Sequence, residues 1–137
     1  MRALIITVIG YASTADRILA LSHDYAIIRS DCRFLYLSET DIGLVILNFF
    51  LTIVKSKVSG RAAMWDVVLA RRKITAVKAK EVGMVDRALE DVEAMVRLAE
   101  ELATRGWDGG MYMSNQMAML PEVCAKLRLS PMLSSKL

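Results

Sequence analysis

Residues 10–43 read GYASTADRILALSHDYAIIRSDCRFLYLSETDIG. This stretch decides the fold class. Gly10 closes residues 4–9, whose Ile, Val and Thr content predicts a buried strand. Ser13 or Thr14 can cap a short helix running to about Ser22. Residues 25–29 predict a second strand and residues 34–37 a third, with Asp31 marking the turn between them. The third strand runs into Glu39, and Gly43 closes the unit. Strand, turn, helix, strand, strand and then an acid is a compact way to aim a backbone amide and one carboxylate at a common point.

Working outward, the apolar run 44–54 fits either period, but its length and the polar ending Lys55-Ser56-Lys57 favour helix. Ser59 is the expected N-cap of a helix from Gly60 to about Arg71, and Thr75 of another over 76–82 that Gly83 closes. Met84, Val85 and Asp86 predict a short extended piece. The clearest helix spans about 89–105: Leu89, Val92, Met95, Val96, Ala99, Leu102 and Ala103 recur at three and four, and Gly106 ends it. The tail from Trp107 carries Met111, Met113, Met117 and Met119, which reads as adaptable packing, against a partner subunit among other surfaces. The whole is an α/β arrangement, few strands followed by a helical half, without a complete sheet.

At 137 residues the chain is one domain or part of one, and its 55% hydrophobic content is enough to build a core. The net charge of +3 is mild, and the basic cluster Arg71-Arg72-Lys73 reads as a solvated helix end. No aromatic residues interleave with the basic ones, which disfavours nucleic acid. Cys32 and Cys124 have no metal-ligand spacing and there is a single His, so no metal site is expected; idle thiols in a reducing compartment fit better. The most apolar run, 42–54, is interrupted by Asn48 and Thr52 and falls short of the ~20 residues of a membrane span. Ser135-Lys136-Leu137 ends the chain on a polar tail and matches the receptor-read peroxisomal address.

No Ser-His-Asp set, P-loop or dinucleotide fingerprint is present. His23 and Asp24 are adjacent, and neighbours on a strand face opposite ways, so a structural His is the simpler reading. Glu39 stands among apolar neighbours, where a carboxyl holds its proton to higher pH and suits proton transfer; the competing reading is a surface cap, and Asp41 is a rival better suited to turn formation. The turn into the first helix offers unpaired amides that can stabilise an oxyanion, or is an ordinary connection.

Taken in order, these motifs resemble the crotonase, or enoyl-CoA hydratase/isomerase, family, and most closely its plant peroxisomal Δ3,Δ2-enoyl-CoA isomerases. Gly10-Tyr11-Ala12 is similar to the family's G-[HY]-A segment. Residues 20–25 and 34–44 resemble the strands that follow. Ser59-Gly60-Arg61-Ala62, then Ile74-Thr75-Ala76, Ala79 and residues 81–86 resemble the later "A…ITA…A…GLVD" pattern. The resemblance covers about residues 8–105.

The resemblance implies the C-terminal part of a crotonase ββα spiral: core strands and oxyanion turn in residues 1–58, and a helical region in 59–137 ending in the peroxisomal signal. It implies deprotonation of an acyl-CoA beside its thioester carbonyl, with two backbone amides holding the enolate. In the isomerases one glutamate takes the C2 proton and returns it at C4. Glu39 falls at that acid, and Ala15 at one of the oxyanion amides; the other belongs to a half of the domain that this sequence does not contain. Ile18 stands where hydratases carry a second glutamate, which favours isomerisation over water addition; hydratase-type activity and a non-catalytic subunit-binding remnant are the alternatives. Asp16 stands where the family usually has Gly, and a carboxylate near a developing enolate is unfavourable unless Arg17 or the helix N-terminus neutralises it. Residues 45–48 replace a proline-containing turn. The implied partners are an acyl-CoA, a peroxisomal import receptor and further copies of the chain, most often as a trimer; no metal or redox cofactor is implied.

Overall fold

The computed structural model describes residues 4–9, 12–31, 35–36, 38–70 and 72–127. The α/β class expected from the sequence is what it shows. Strand β1 (Ile5–Val8) pairs in parallel with β3 (Tyr25–Arg29), Ile5 opposite Tyr25 and Val8 opposite Ile28. Parallel neighbours need a crossover, and here it runs through β2 (Ala12–Ser13) and helix α1 (Thr14–Leu21). On its other side β3 pairs in parallel with β5 (Arg87–Leu89), giving the order β1-β3-β5. The central position explains why Ala26, Ile27 and Ile28 are apolar without alternation: all three are buried.

A second, smaller ladder joins β2 to β4 (Leu35–Tyr36), again in parallel, with Ala12 opposite Leu35 and Ser13 opposite Tyr36. Leu35 and Ile74 also exchange both backbone hydrogen bonds, at 2.8 and 2.9 Å, tying this ladder to the second half of the chain. One turn of 3-10 helix, Ser38–Ile42, follows β4.

The helix expected over 44–54 forms later, as α2 (Asn48–Lys57). Gly43, at φ +72°, and the bond from the Leu44 amide to the Glu39 carbonyl close the preceding turn. Residues 44–47 then run without regular structure, Ile46 in the core and Val45 91% exposed. The next helix also starts one residue late, because Ser59 does not cap it. Its amide bonds the Val82 carbonyl, and Gly60, at φ +89°, precedes α3 (Arg61–Met64) without a side-chain cap. A π-helical turn, Trp65–Leu69, follows and is closed by the Ala70 amide on the Trp65 carbonyl.

Thr75 caps α4 (Ala76–Glu81) through the Lys78 amide, as expected, and Gly83 takes the left-handed conformation after it. Met84 and Val85 are core residues rather than strand; extended pairing begins only at Arg87, after the Asp86 amide bonds the Ala26 carbonyl. Leu89 therefore belongs to β5. Asp91 caps α5 (Val92–Ala103), which buries Met95 and Leu102 and leaves Val92 and Val96 exposed. The tail left without secondary structure in the sequence reading holds two helices, α6 (Gly109–Met119), capped by Asp108, and α7 (Pro121–Lys126), which packs on α2. Among the described residues no helix is long and apolar enough to cross a membrane.

Candidate active site

The β2–β4 register sets the two strands that lead to the candidate residues side by side. Both strands run the same way, and both continue directly from the same end of the ladder into a helical turn. From Ser13 the chain enters α1, where Ala15 is the second residue. The first amides of a helix lack intrahelical partners and carry partial positive charge. From Tyr36 the chain enters the 38–42 turn, where Glu39 is half-buried. The ends of adjacent parallel strands are where α/β sheets gather their ligand-binding groups. Asp41, the rival acid, is exposed on the same turn.

Ile18 is buried in the core, so the face of α1 that carries it is apolar and dry. Asp16 is exposed, and among the described residues no ion pair joins it to Arg17. Of the two ways of neutralising Asp16, the ion pair with Arg17 is not formed, while Asp16 does stand in the first turn of α1, at the positive end of the helix. Arg17 turns inward instead and is 1% exposed. Its Nη2 donates to the Met84 Sδ at 3.3 Å, while Nε and Nη1 have no hydrogen-bond partner among the described residues. Burial pulls the Arg17 guanidinium down from its ordinary value to about 10, with the charge of Glu39 acting the other way. The sequence offered Arg17 as a neutraliser of Asp16 rather than as a core residue, yet a signal for burial existed: Ala20 and Leu21, three and four residues on, are both buried, and a helix face is shared at that spacing.

His23 and Asp24 lie in the turn before β3, not on a strand, and they do not form a dyad: the His23 Nδ1 meets the Leu19 carbonyl at 2.7 Å. Asp24 is a clasp. Its carboxylate accepts from the Leu4 amide at 2.8 Å and from the Gln116 side chain, and it acts on the Tyr112 phenol. Lys57 Nζ donates to the carbonyls of His23 and Asp24. Burial first, and then Asp24, pushes the Tyr112 phenol up to about 12.

Arg72, which is exposed, approaches the half-buried Asp66 to 3.4 Å. Cys124 is a half-buried free thiol. No group of three His, Cys, Asp or Glu side chains among the described residues could hold a metal ion. Ser135, Lys136 and Leu137 lie outside the described residues.

Residues 2–120 match the family model described as enoyl-CoA hydratase/isomerase. The chain is 42% identical over 123 residues to the peroxisomal enoyl-CoA delta isomerase 1 of Arabidopsis thaliana, covering 87% of this chain and 51% of the relative. It is 36% identical over 126 residues to enoyl-CoA delta isomerase 3 of the same plant, covering 88% and 53%. It thus spans about half the length of the curated relatives it matches. Among solved structures, an enoyl-CoA hydratase/isomerase family protein of Pseudomonas syringae superposes with a TM-score of 0.77 at 19% identity, covering 90% of this chain and 56% of that one. The apo enoyl-CoA isomerase of Mycobacterium tuberculosis gives 0.75 at 20% identity, covering 88% and 53%. At those identities the likeness is one of fold.

Proposed function

Since this chain belongs to the enoyl-CoA hydratase/isomerase family, we propose that it carries the acid/base half of an enoyl-CoA Δ3,Δ2-isomerase site, with Glu39 as the single proton carrier. The carrying observation is the β2–β4 register, which sends the chain into Glu39 and into the amide end of α1 from the same end of one ladder. In this reading the acyl-CoA thioester oxygen lies against the Ala15 amide. Glu39 takes a proton from C2; the electron pair is delocalised through the C3–C4 double bond onto the thioester oxygen as a dienolate. The same carboxyl then delivers the proton to C4, and the double bond is left between C2 and C3. One residue suffices because the proton leaves and returns on one face. An amide donor aimed at the oxyanion is worth roughly 100- to 1,000-fold in rate where it has been removed singly.

The buried Ile18 supports isomerisation over hydration. Water addition needs a second group to hold and activate the water, and an apolar side chain there offers none. The names of the Arabidopsis relatives support the same choice. The peroxisomal name of the first of them and the terminal Ser135-Lys136-Leu137 support import by the peroxisomal receptor and a role in breakdown of unsaturated fatty acids. Assembly as a homo-oligomer, a trimer by family resemblance, is part of the proposal. The test is product analysis: the purified chain is incubated with a 3-enoyl-CoA and, separately, with a 2-enoyl-CoA. A 2-enoyl-CoA from the first and no 3-hydroxyacyl-CoA from the second is expected; the reverse result assigns a hydratase.

A further inference from the structure

The three-stranded sheet ends differently on its two sides. Its order is β1-β3-β5, so β1 and β5 are the edges. β5 is 3 residues long, begins on Arg87 and runs into Glu90 and Asp91; a short strand with charges at both ends is poorly suited to further pairing. β1 has no such guard. Residues 4–9, Leu-Ile-Ile-Thr-Val-Ile, hold no charge, no proline and no glycine. Leu4 and Ile9, at the two ends, are 55% and 49% exposed. Helix α5 packs on β1, β3 and β5 alike, so it covers the face of the sheet and not the edge.

The ladder says which backbone groups are left over. The Tyr25 amide donates to the Leu4 carbonyl at 3.1 Å, and Ile5 stands opposite Tyr25. In a parallel pair, alternate residues of a strand turn both backbone groups toward the same neighbour. Leu4, Ile6 and Val8 therefore face β3, while the amides and carbonyls of Ile5 and Thr7 face away from it. Among the described residues no strand takes them.

We propose that the free edge of β1 is a pairing surface for a second copy of this chain, the two β1 strands running antiparallel about a two-fold axis at Ile6. Ile5 and Thr7 of one copy then exchange backbone bonds with Thr7 and Ile5 of the other. Ile6 meets Ile6 of the second copy as a β-branched pair, and the exposed Leu4 meets Val8. An apolar edge without charge fits an extended strand equally free of charge, and β1 is such a strand, self-complementary about that axis. Charge fixes the direction. The Asp24 carboxylate holds the Leu4 amide at 2.8 Å. Antiparallel pairing sets the two Leu4–Asp24 ends about 13 Å apart along the strands, whereas parallel pairing would set the two carboxylates side by side. Each copy has one such edge, so the pairing closes at two. The inference is independent of the isomerase reading.

The test uses the full chain. Sedimentation equilibrium across a concentration series should show the mass of the smallest species doubling. Thr7→Pro should weaken that association by about 10- to 100-fold, because each copy loses an edge-facing donor while every bond to β3 is kept. Thr7→Lys, which puts a charge on the edge, should weaken it too. Amide hydrogen exchange gives a readout that needs no variant. At high concentration the Ile5 and Thr7 amides should slow by about tenfold or more relative to dilute protein, while those of Ile6 and Val8, bonded to β3 throughout, stay slow at both. A mass that never doubles overturns the proposal. So does a dimer in which Ile5 and Thr7 exchange as fast as in dilute protein, or one that Thr7→Pro and Thr7→Lys leave intact. Protection of those two amides only by an added polypeptide of different sequence would assign the edge to another partner and overturns it as well.

Discussion

The carbonyl oxygen of Lys57 occupies the space a side chain on Gly83 would need: a Cβ built there stands 2.7 Å from it. The contact is backbone to backbone and binds the end of α2 to the turn after α4. It is reinforced by the Ser59 amide on the Val82 carbonyl. Gly83 also sits at φ +83°, which side chains disfavour.

Gly83→Ala should therefore destabilise the protein by roughly 1–3 kcal/mol, since strain and close contact act together. Denaturant unfolding with an unchanged slope reads the loss. The same substitution at Gly106 meets nothing closer than 3.7 Å and should cost less, from its φ of +59° alone.

Met95 is one of the two residues that α5 buries. It is fully buried, and α5 packs on β1, β3 and β5. Met95→Ala leaves a cavity and should cost about 2–5 kcal/mol. Val96→Ala, one residue away and 45% exposed, should cost far less. Equal losses at the two positions would mean that α5 does not pack as described.

The Asp24–Tyr112 contact sets a pH dependence at the alkaline end. The phenol is pushed up to about 12 in the folded chain, against 10 ordinarily. A proton held more tightly when folded stabilises fully below pH 10, and that contribution is lost as pH rises through about 12. Absorbance titration of the phenolate should show Tyr112 ionising late, as a step lost in Tyr112→Phe. Asp24→Asn should lower its midpoint only part of the way, because burial is the larger cause. The same substitution should loosen α6, which Asp24 also holds through Gln116, and hydrogen exchange across residues 109–119 reads that directly.

Local pattern carried much of this fold. The apolar run of β3 lies at the centre of the sheet, where a parallel strand wants apolar residues on both faces. Thr75 and Gly83 bounded α4 as cap and stop. What local pattern did not carry was decided by tertiary bonds. Ser59 has the chemistry of a cap, but α3 starts one residue later and Gly60 holds its cap position without a side-chain bond. Leu89 has helical spacing to Val92, but β3 recruits it as a strand residue, and Asp91 starts the helix. At the site, Glu39 stood out as an acid among apolar neighbours and Ala15 was named by the family resemblance; the β2–β4 pairing sets where the chain enters each turn. Arg17 was hidden because a cation is expected outside; only its spacing to Ala20 and Leu21 gave it away.

The central claim is that one carboxyl moves the proton. Isomerisation of a 3-enoyl-CoA by the purified chain, measured beside Glu39→Gln, tests it most directly. Gln keeps the shape and cannot accept the C2 proton, so kcat should fall by about 100- to 10,000-fold with KM little changed. Full turnover in Glu39→Gln would contradict the account, because the proton would then have to travel by another group.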